Sequence, residues 1–467
     1  MSASFAREFK ERAKEVSADL EHRSRMQQSL KGYESARDTR RAQYRSWEAA
    51  RQTAAEAKWE AINHLDRYLS EFAEKLERRG AKVYWADNGR EANEYILNLA
   101  RTKGAKSIIK SKTMTSEETH LAEALEAAGY KVVESDLGEF IVQLRREPPY
   151  HIVFPAMHLT RGDIGKLFQQ ELHSPPTDDP EELTMIARRE MRSRFVEADI
   201  GISGANFAVA ETGMISITEN EGNARLTTAL PKIHVALVGI EKVIPRISDL
   251  ALLLPMLATA GTGQQITCYN SLIGGPRQPG EPDGPEEFHV ILLDNNRTAL
   301  LADAEQRDSL HCIRCGACLN VCPIFRNVGG QTYGTTYQGP IGSVITPHLR
   351  DLQDWKHLSS ASSLCGACTE ICPVKIDLHH HLLQNRRNAV AERPGRAEQF
   401  GFWMLSFVVR HVSLFEPLLQ LARKAYPWLR RYRGELKMGP LCAWVSSREL
   451  PPIAAESFRD YWRKRTS

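Results

Sequence analysis

The hydrophobic and polar positions of this chain change their rhythm twice. Over residues 1–78 acids and bases alternate around scattered Leu, Phe, Trp and Tyr, with almost no Gly or Pro. That pattern predicts long solvated helices, one spanning 58–76 with the apolar stripe Ile62, Leu65, Leu69, Phe72 and Leu76. The interleaved Glu and Asp make its Arg and Lys a solvated helix surface rather than a nucleic-acid face. From Gly80 short apolar runs alternate with helix-length segments: strands at 81–86, 107–110, 130–134 and 150–155, helices at 89–102 and 116–128. Further strand-like runs at 199–205, 213–218 and 233–239, and one from His289 after a Gly- and Pro-rich loop at 275–287, carry the pattern to about residue 300. Strands alternating with helices predict βαβ units and a parallel sheet. A helix at 298–308 follows. From Gln384 the chain reads as basic and helical, with a dense apolar face over 402–421 that serves packing or docking.

Composition narrows the class. At 467 residues, 25% charged and 42% hydrophobic, the chain has room for two or three globular domains. A net charge of +3 is too small to imply a nucleic-acid partner. The longest apolar stretches, 250–261 and 402–409, fall short of the roughly twenty residues of a spanning helix. The start, Met1-Ser-Ala-Ser-Phe-Ala-Arg-Glu, has no apolar signal core. The expectation is a cytoplasmic protein without a transmembrane segment, any membrane association being made through partners.

The cysteines carry the chemistry. Cys312-Ile-Arg-Cys315-Gly-Ala-Cys318-Leu-Asn-Val-Cys322-Pro323 has the C-x2-C-x2-C-x3-C-P spacing of a bacterial-type ferredoxin. Three closely spaced thiolates wrap three corners of one cluster, and the fourth, before proline, turns to a different cluster. A second, shorter motif follows: Cys365-Gly-Ala-Cys368-Thr-Glu-Ile-Cys372-Pro373. Exchange of ligands gives Cys312, Cys315, Cys318 and Cys372 to one cluster, and Cys322, Cys365 and Cys368 to the other. Two 4Fe–4S clusters are expected. The position of a leading cysteine in the second motif holds Ser362. Its fourth ligand stays open between Ser362, a backbone or solvent ligand, a distant cysteine such as Cys442, and a three-iron form. Structural zinc gains nothing from this phase, and disulfides do not suit a chain without a secretory signal. Cys268 and Cys442 read as buried thiols. The Gly- and Tyr-rich stretch 328–343 is expected to loop over a cluster.

Other candidates are weaker. Glu211, Glu219, Asn220, Glu221, Asn223 and Arg225 form a polar knot between strand-like segments, either a pocket lining at strand ends or turn chemistry. His158 and His234 flank it and read as structural. His379-His380-His381 cannot converge on one ion from a helix, where neighbours point about 100° apart, and reads as a solvated helix start. No catalytic residue is assigned, and no G-x-G-x-x-G fingerprint follows a strand.

Two stretches together resemble a known family. Residues 210–245, Ala-Glu-Thr-Gly-Met-Ile-Ser-Ile-Thr-Glu-Asn-Glu-Gly-Asn-Ala-Arg through to Val-Ile-Pro, look like the signature of the lactate-utilization (LUD) domain. The cluster pair, with Gly339-Pro340-Ile341-Gly342 between its halves, completes the resemblance to the lactate-utilization iron–sulfur proteins. The resemblance implies an α/β, sugar-isomerase/CoA-transferase-like parallel-sheet domain followed by an α-helical ferredoxin-type di-cluster domain, with a helical N-terminal extension. The boundaries expected are 1–78 for the extension, 79–300 for the LUD domain, 301–392 for the iron–sulfur domain and 393–467 for a basic helical C-terminal region. It implies the same two ligand sets. It further implies an electron-transfer subunit of a complex oxidising L-lactate to pyruvate. The partners would be a cysteine-rich subunit like those of glycolate oxidase and heterodisulfide reductase, a small LUD-domain subunit and an electron acceptor. The alternative is that the α/β domain itself binds and oxidises lactate, the clusters being the electron exit.

Overall fold

The computed structural model describes residues 2–393, 395–431, 453–454 and 456–466. Its frame is a parallel six-stranded sheet in the order β1-β10-β7-β4-β2-β3. The strands are β1 Lys82–Ala86, β2 Ser107–Lys110, β3 Lys131–Glu134, β4 Ile200–Ser203, β7 Ile233–Gly239 and β10 Glu287–Leu293. β7 is buried at every position, as a central strand covered by helices on both faces should be. The register sets Ile202 against Val235 and Val235 against His289. A smaller sheet, β8-β5-β6-β9, leans on this frame through β5 Phe207–Val209, β6 Met214–Glu219, β8 Val243–Ile244 and β9 Tyr269–Ile273.

All the expected strands but the one at 150–155 stand where the pattern put them, as does the helix Gly89–Thr102, capped by Asn88 accepting from the Glu91 amide at 3.1 Å. Several elements differ. The helix expected over 58–76 is two, Trp47–Asn63 and Leu65–Glu77, broken at His64. That over 116–128 is Met114–Glu118 and Leu121–Ala127, because His120 takes a left-handed φ of 55°. Residues 150–155 form no strand. Their loop is closed by the Tyr150 amide on the Pro155 carbonyl, and Tyr150 meets Phe325 edge-on, so the apolar run is buried without a ladder. Helix 298–308 is Arg297–Ala302 followed by a single turn at Arg307–His311, with Asp303 accepting from the Glu305 amide between them. The stretch 339–342 is no loop but the first turn of the helix Gly339–Leu349, buried at every position but His348.

The N-terminal helices are solvated on one side only. Met26, Leu30 and Arg37 are buried, and Lys58 is enclosed with its ammonium donating to the Glu241 carbonyl at 2.6 Å. Phe5 stacks on Trp355 at 4.7 Å and Phe9 meets Tyr333 edge-on, so these helices cover the cysteine-bearing region. Residues 1–389 make one compact unit and 390–467 a second. In the second, helices Arg396–Arg410 and Val412–Arg431 expose Phe402, Trp403 and Phe407. Among the described residues no single helix is long and apolar enough to cross a membrane.

Candidate functional site

The two cysteine motifs fold alike. Each has a left-handed residue before a cysteine, Arg314 at φ 60° and Leu364 at φ 54°, then a left-handed glycine, Gly316 at 78° and Gly366 at 82°. Each continues into a one-turn helix, Ala317–Val321 or Ala367–Ile371, and ends on Cys-Pro. The left-handed turns bend each loop back on itself, so backbone amides face inward toward sulfur. The Arg314 amide donates to the Cys312 sulfur at 3.4 Å. The Leu364 amide donates to the Ser362 hydroxyl at 3.1 Å, so Ser362 holds in the second motif the place Cys312 holds in the first. Further amides point at sulfur from Ile376 to Cys372 at 3.4 Å and from Ile341, in the first turn of helix Gly339–Leu349, to Cys318.

Electrostatics link thiols across the two motifs. Burial raises Cys315, and the adjacent Cys372 and Cys312 raise it further. Burial also takes Cys372 to about 12, with Cys312 adding to it. Cys368 is raised to about 11 by burial and then by Cys322 and Cys365, and Cys322 feels Cys365 in return. Cys318 is raised by burial, then by Cys312 and Cys315, and also by Cys368 of the second motif. Cys315, Cys318, Cys322, Cys368 and Cys372, costly to ionise alone and free of disulfides among the described residues, fit metal clusters, whose iron replaces the thiol protons; Cys312 is half-buried and Cys365 exposed. Tyr333, fully enclosed, lies beside both Cys318 and Cys322. Arg51 clamps the second motif through the Cys372 and Thr369 carbonyls at 2.9 and 3.3 Å. Sequence reasoning missed this clamp, since nothing local marks Arg51 among many exposed arginines. Cys268 is exposed, not buried as expected, because it follows the open turn before the edge strand β9. Cys442 lies outside the described residues.

A cavity of about 390 Å³ opens beside the first motif. Its walls include residues after β2, β3, β4 and β7, hence the carboxyl ends of four parallel strands, together with Arg314, Cys315 and Tyr337. Glu219, Asn220, Glu221 and Asn223 of the polar knot line it; Glu211 and Arg225 do not. Glu211 instead accepts from the Ile247 amide at 2.8 Å, and Arg225 lies over the Tyr269 ring at 5.1 Å. Burial, then Asp136, raises Glu221 to about 7. Burial, then Arg314, lowers Lys242 to about 8. His158 bonds to Glu147 at 2.9 Å, and His234 to Ser203 at 2.7 Å, away from the cavity, which leaves both structural. His381 turns inward to Asp308 at 2.7 Å, so only part of the histidine tract is solvated; Asp377, His379 and His380 lie together at its exposed end.

Beneath the first motif runs a buried ionic chain. Arg297 grips Glu118 with two nitrogens at 2.9 and 2.8 Å and Glu241 at 2.5 Å. Glu241 also accepts from Arg314 at 3.3 Å. Burial works to raise Glu241, and the Arg297 and Arg314 charges outweigh it, holding the carboxyl at about 2.

An α/β sheet joined to two interleaved ferredoxin-type motifs defines a dicluster iron–sulfur protein with a LUD-type domain. The LUD domain profile matches residues 69–293, and the 4Fe-4S dicluster domain profile matches 308–376. The cofactors are two 4Fe–4S clusters. The chain belongs to the lactate utilization protein B family. It is 43% identical over 427 residues to lactate utilization protein B of Shouchella clausii, covering 90% of this chain and 89% of that protein. Against lactate utilization protein B of Bacillus cereus strain AH820 the identity is 42% over 422 residues, covering 90% and 89%. Against the uncharacterized electron transport protein YkgF of Escherichia coli K12 it is 42% over 421 residues, covering 90% and 88%. A crystal structure of a DUF162 family protein from Deinococcus radiodurans aligns with 49% of this chain and 98% of its own, at 14% identity and a TM-score of 0.27.

Proposed function

We propose that this chain serves lactate utilization as an iron–sulfur electron carrier, within a complex that oxidises L-lactate to pyruvate. The observation that carries this reading is that thiols of the two motifs act on one another across the motifs, Cys372 on Cys315, Cys322 on Cys368, and Cys368 also on Cys318. Cys312, Cys315, Cys318 and Cys372 hold the first cluster. Cys322, Cys365 and Cys368 hold the second, with Ser362 at its fourth corner. The clusters, when bound, supply one-electron transfer. The chain's own groups direct amides at the sulfurs, exclude water with Tyr333 and the N-terminal helices, and keep Arg314 beside the first cluster. Partners resembling a cysteine-rich subunit and a small LUD-domain subunit complete the reading, with an acceptor beyond them.

A second reading, in which the α/β domain itself oxidises lactate, is favoured by one observation: the strand-end cavity reaches Cys315. The test is dye reduction by L-lactate with the anaerobically purified chain, alone and with its partners. Reduction only with the partners supports the carrier reading. Reduction by the chain alone supports the second reading, and none in either case contradicts both.

A further inference from the structure

Helix Arg396–Arg410 of the C-terminal unit is apolar on every side and bare. From Phe400 to Val409 only Gly401 and Ser406 interrupt the apolar run, and every residue of the helix but Val408 is exposed. At helical spacing Phe400, Trp403, Met404 and Phe407 fall on one side, and Phe402, Leu405 and Val409 on the other. These side chains are 44–65% exposed. The rings of Phe400, Trp403 and Phe407 stack in file, with centres 6.0 and 5.8 Å apart. By contrast the apolar helix Leu250–Thr262 has Leu253, Met256 and Ala260 buried. A helix that is hydrophobic all round belongs in a protein core or in lipid, and this one lies in no core of its own unit.

The neighbouring helices are amphipathic and basic. In Val412–Arg431 the side chains of Leu414, Leu418, Leu421 and Trp428 share one side and are 43–63% exposed, while Glu416 and Arg423 lie opposite. Helix Phe458–Thr466 exposes Phe458 and Trp462, stacked at 5.7 Å, beside Arg463, Lys464 and Arg465. Arg459 and Arg463 each reach Glu416 at 3.3 Å, and Lys464 reaches Glu456 at 2.7 Å. Such exposed pairs leave the basic excess in place. Residues 390–467 carry 14 Lys and Arg against 7 Asp and Glu, a net charge of +7. The rest of the chain, with 47 against 51, is net −4. The positive charge of the protein is thus gathered on the unit that also bares its aromatic side chains.

We propose that helices Arg396–Arg410, Val412–Arg431 and Phe458–Thr466 seat this chain on an anionic phospholipid bilayer. Phe402, Trp403 and Phe407 enter the boundary of the acyl chains, and Lys424, Lys464 and Arg465 meet the lipid phosphates. A groove on a partner protein takes one apolar stripe of a helix and leaves a polar back, whereas Arg396–Arg410 has no polar side to leave. Charge complementarity then selects anionic lipid, since Lys and Arg beside an apolar helix face add attraction to a negative surface. Among the described residues no single helix is long and apolar enough to cross a bilayer, and Arg396–Arg410 meets Val412–Trp428 at a bend of 105°. The helices therefore lie in the interface rather than span it. This docking goes beyond the carrier reading and does not depend on it.

The test is cosedimentation of the anaerobic, cluster-loaded full chain with vesicles of phosphatidylcholine alone and of equimolar phosphatidylcholine and phosphatidylglycerol, at low and high salt. Iron content and circular dichroism are recorded on the same samples, and the mass of the lipid-free chain is measured by light scattering. The chain should bind the anionic vesicles about tenfold or more tightly than the neutral ones, and less tightly at high salt. Trp403→Ser with Phe407→Ser should weaken binding to anionic vesicles by about tenfold or more with iron content and helix content unchanged, since both side chains are exposed. Lys464→Gln with Arg465→Gln should weaken it by a similar factor, about tenfold, while leaving the weak binding to neutral vesicles as it is. No binding to either vesicle, equal binding to both, or anionic binding untouched by both variants would overturn the proposal. So would an oligomer that Trp403→Ser with Phe407→Ser disperses in a chain that ignores vesicles, because a second copy would then be what covers this face.

Discussion

Replacing Arg297 by Met strands two carboxylates in the interior, and the consequence can be worked through. Arg297 is 1% exposed, and Glu118 and Glu241 are 5% and 1% exposed at their side chains. The guanidinium spends its Nε on Glu241 and both terminal nitrogens on Glu118, and donates also to the Asp294 carbonyl at 3.0 Å. Breaking one buried ion pair by deleting a partner costs about 3–5 kcal/mol, because the remaining charge is uncompensated. Two pairs share this arginine, but Arg314 still faces Glu241, and Asn295 and Tyr337 still donate to Glu118. The expected loss is therefore near one pair's cost, about 3–5 kcal/mol, rather than twice it. Guanidinium unfolding of the anaerobic, cluster-loaded chain measures this from the midpoint at constant m. Adding Glu118→Gln and Glu241→Gln to Arg297→Met should restore part of the loss, since neutral amides are cheaper to bury than unpaired carboxylates. A loss below about 1 kcal/mol, or no recovery in the triple variant, would refute the reasoning.

Three further outcomes follow from the same structure. Glu241 has a folded pKa of about 2 against an ordinary 4.5, so its stabilisation is complete above about 4.5 and is lost as pH falls from there toward 2; Glu241→Gln should flatten unfolding free energy across that window. His151 is held down to about 3 by burial, from an ordinary 6.5, so the unfolded chain binds its proton first. Stability should be full above about pH 6.5 and fall by up to about 1.4 kcal/mol per unit below it, less in His151→Gln, as unfolding at a series of pH values would measure. Gly342→Ala inside helix Gly339–Leu349 would ordinarily gain about 0.5–1 kcal/mol, yet its new carbon would run into the Tyr337 carbonyl. Unfolding should show a loss of more than about 1 kcal/mol.

How much of this was legible along the chain depends on the range of the forces involved. β7 and β10 were readable because strands covered on both faces are almost wholly apolar, here interrupted only by His234, Glu287 and His289. The cysteine motifs were readable because cluster ligation fixes spacing locally. The breaks at His64 and His120 were not, since each turns on one residue's backbone angle inside an unbroken amphipathic pattern. The run 150–155 misled because burial against Phe325 uses the same apolar residues as a strand would. Four of the six residues of the polar knot line the cavity, but the cations on its wall were invisible: Lys242 and Arg314 meet only once the sheet and the first motif are assembled. Likewise Lys58 and Arg51 look like ordinary surface charges until their helix packs on the cluster region.

The exchange of ligands between the motifs is most directly tested by the iron and sulfide content and EPR spectra of the anaerobic chain beside those of Cys372→Ala and Cys322→Ala. About eight irons per chain are expected, with the reduced signal of two interacting centres. Cys372→Ala should impair the cluster of Cys312, Cys315 and Cys318, and Cys322→Ala the other, each leaving its companion's signal. If Cys372→Ala instead abolished the cluster of its own neighbours Cys365 and Cys368 and left the first intact, the ligands would not be exchanged and the account would be contradicted.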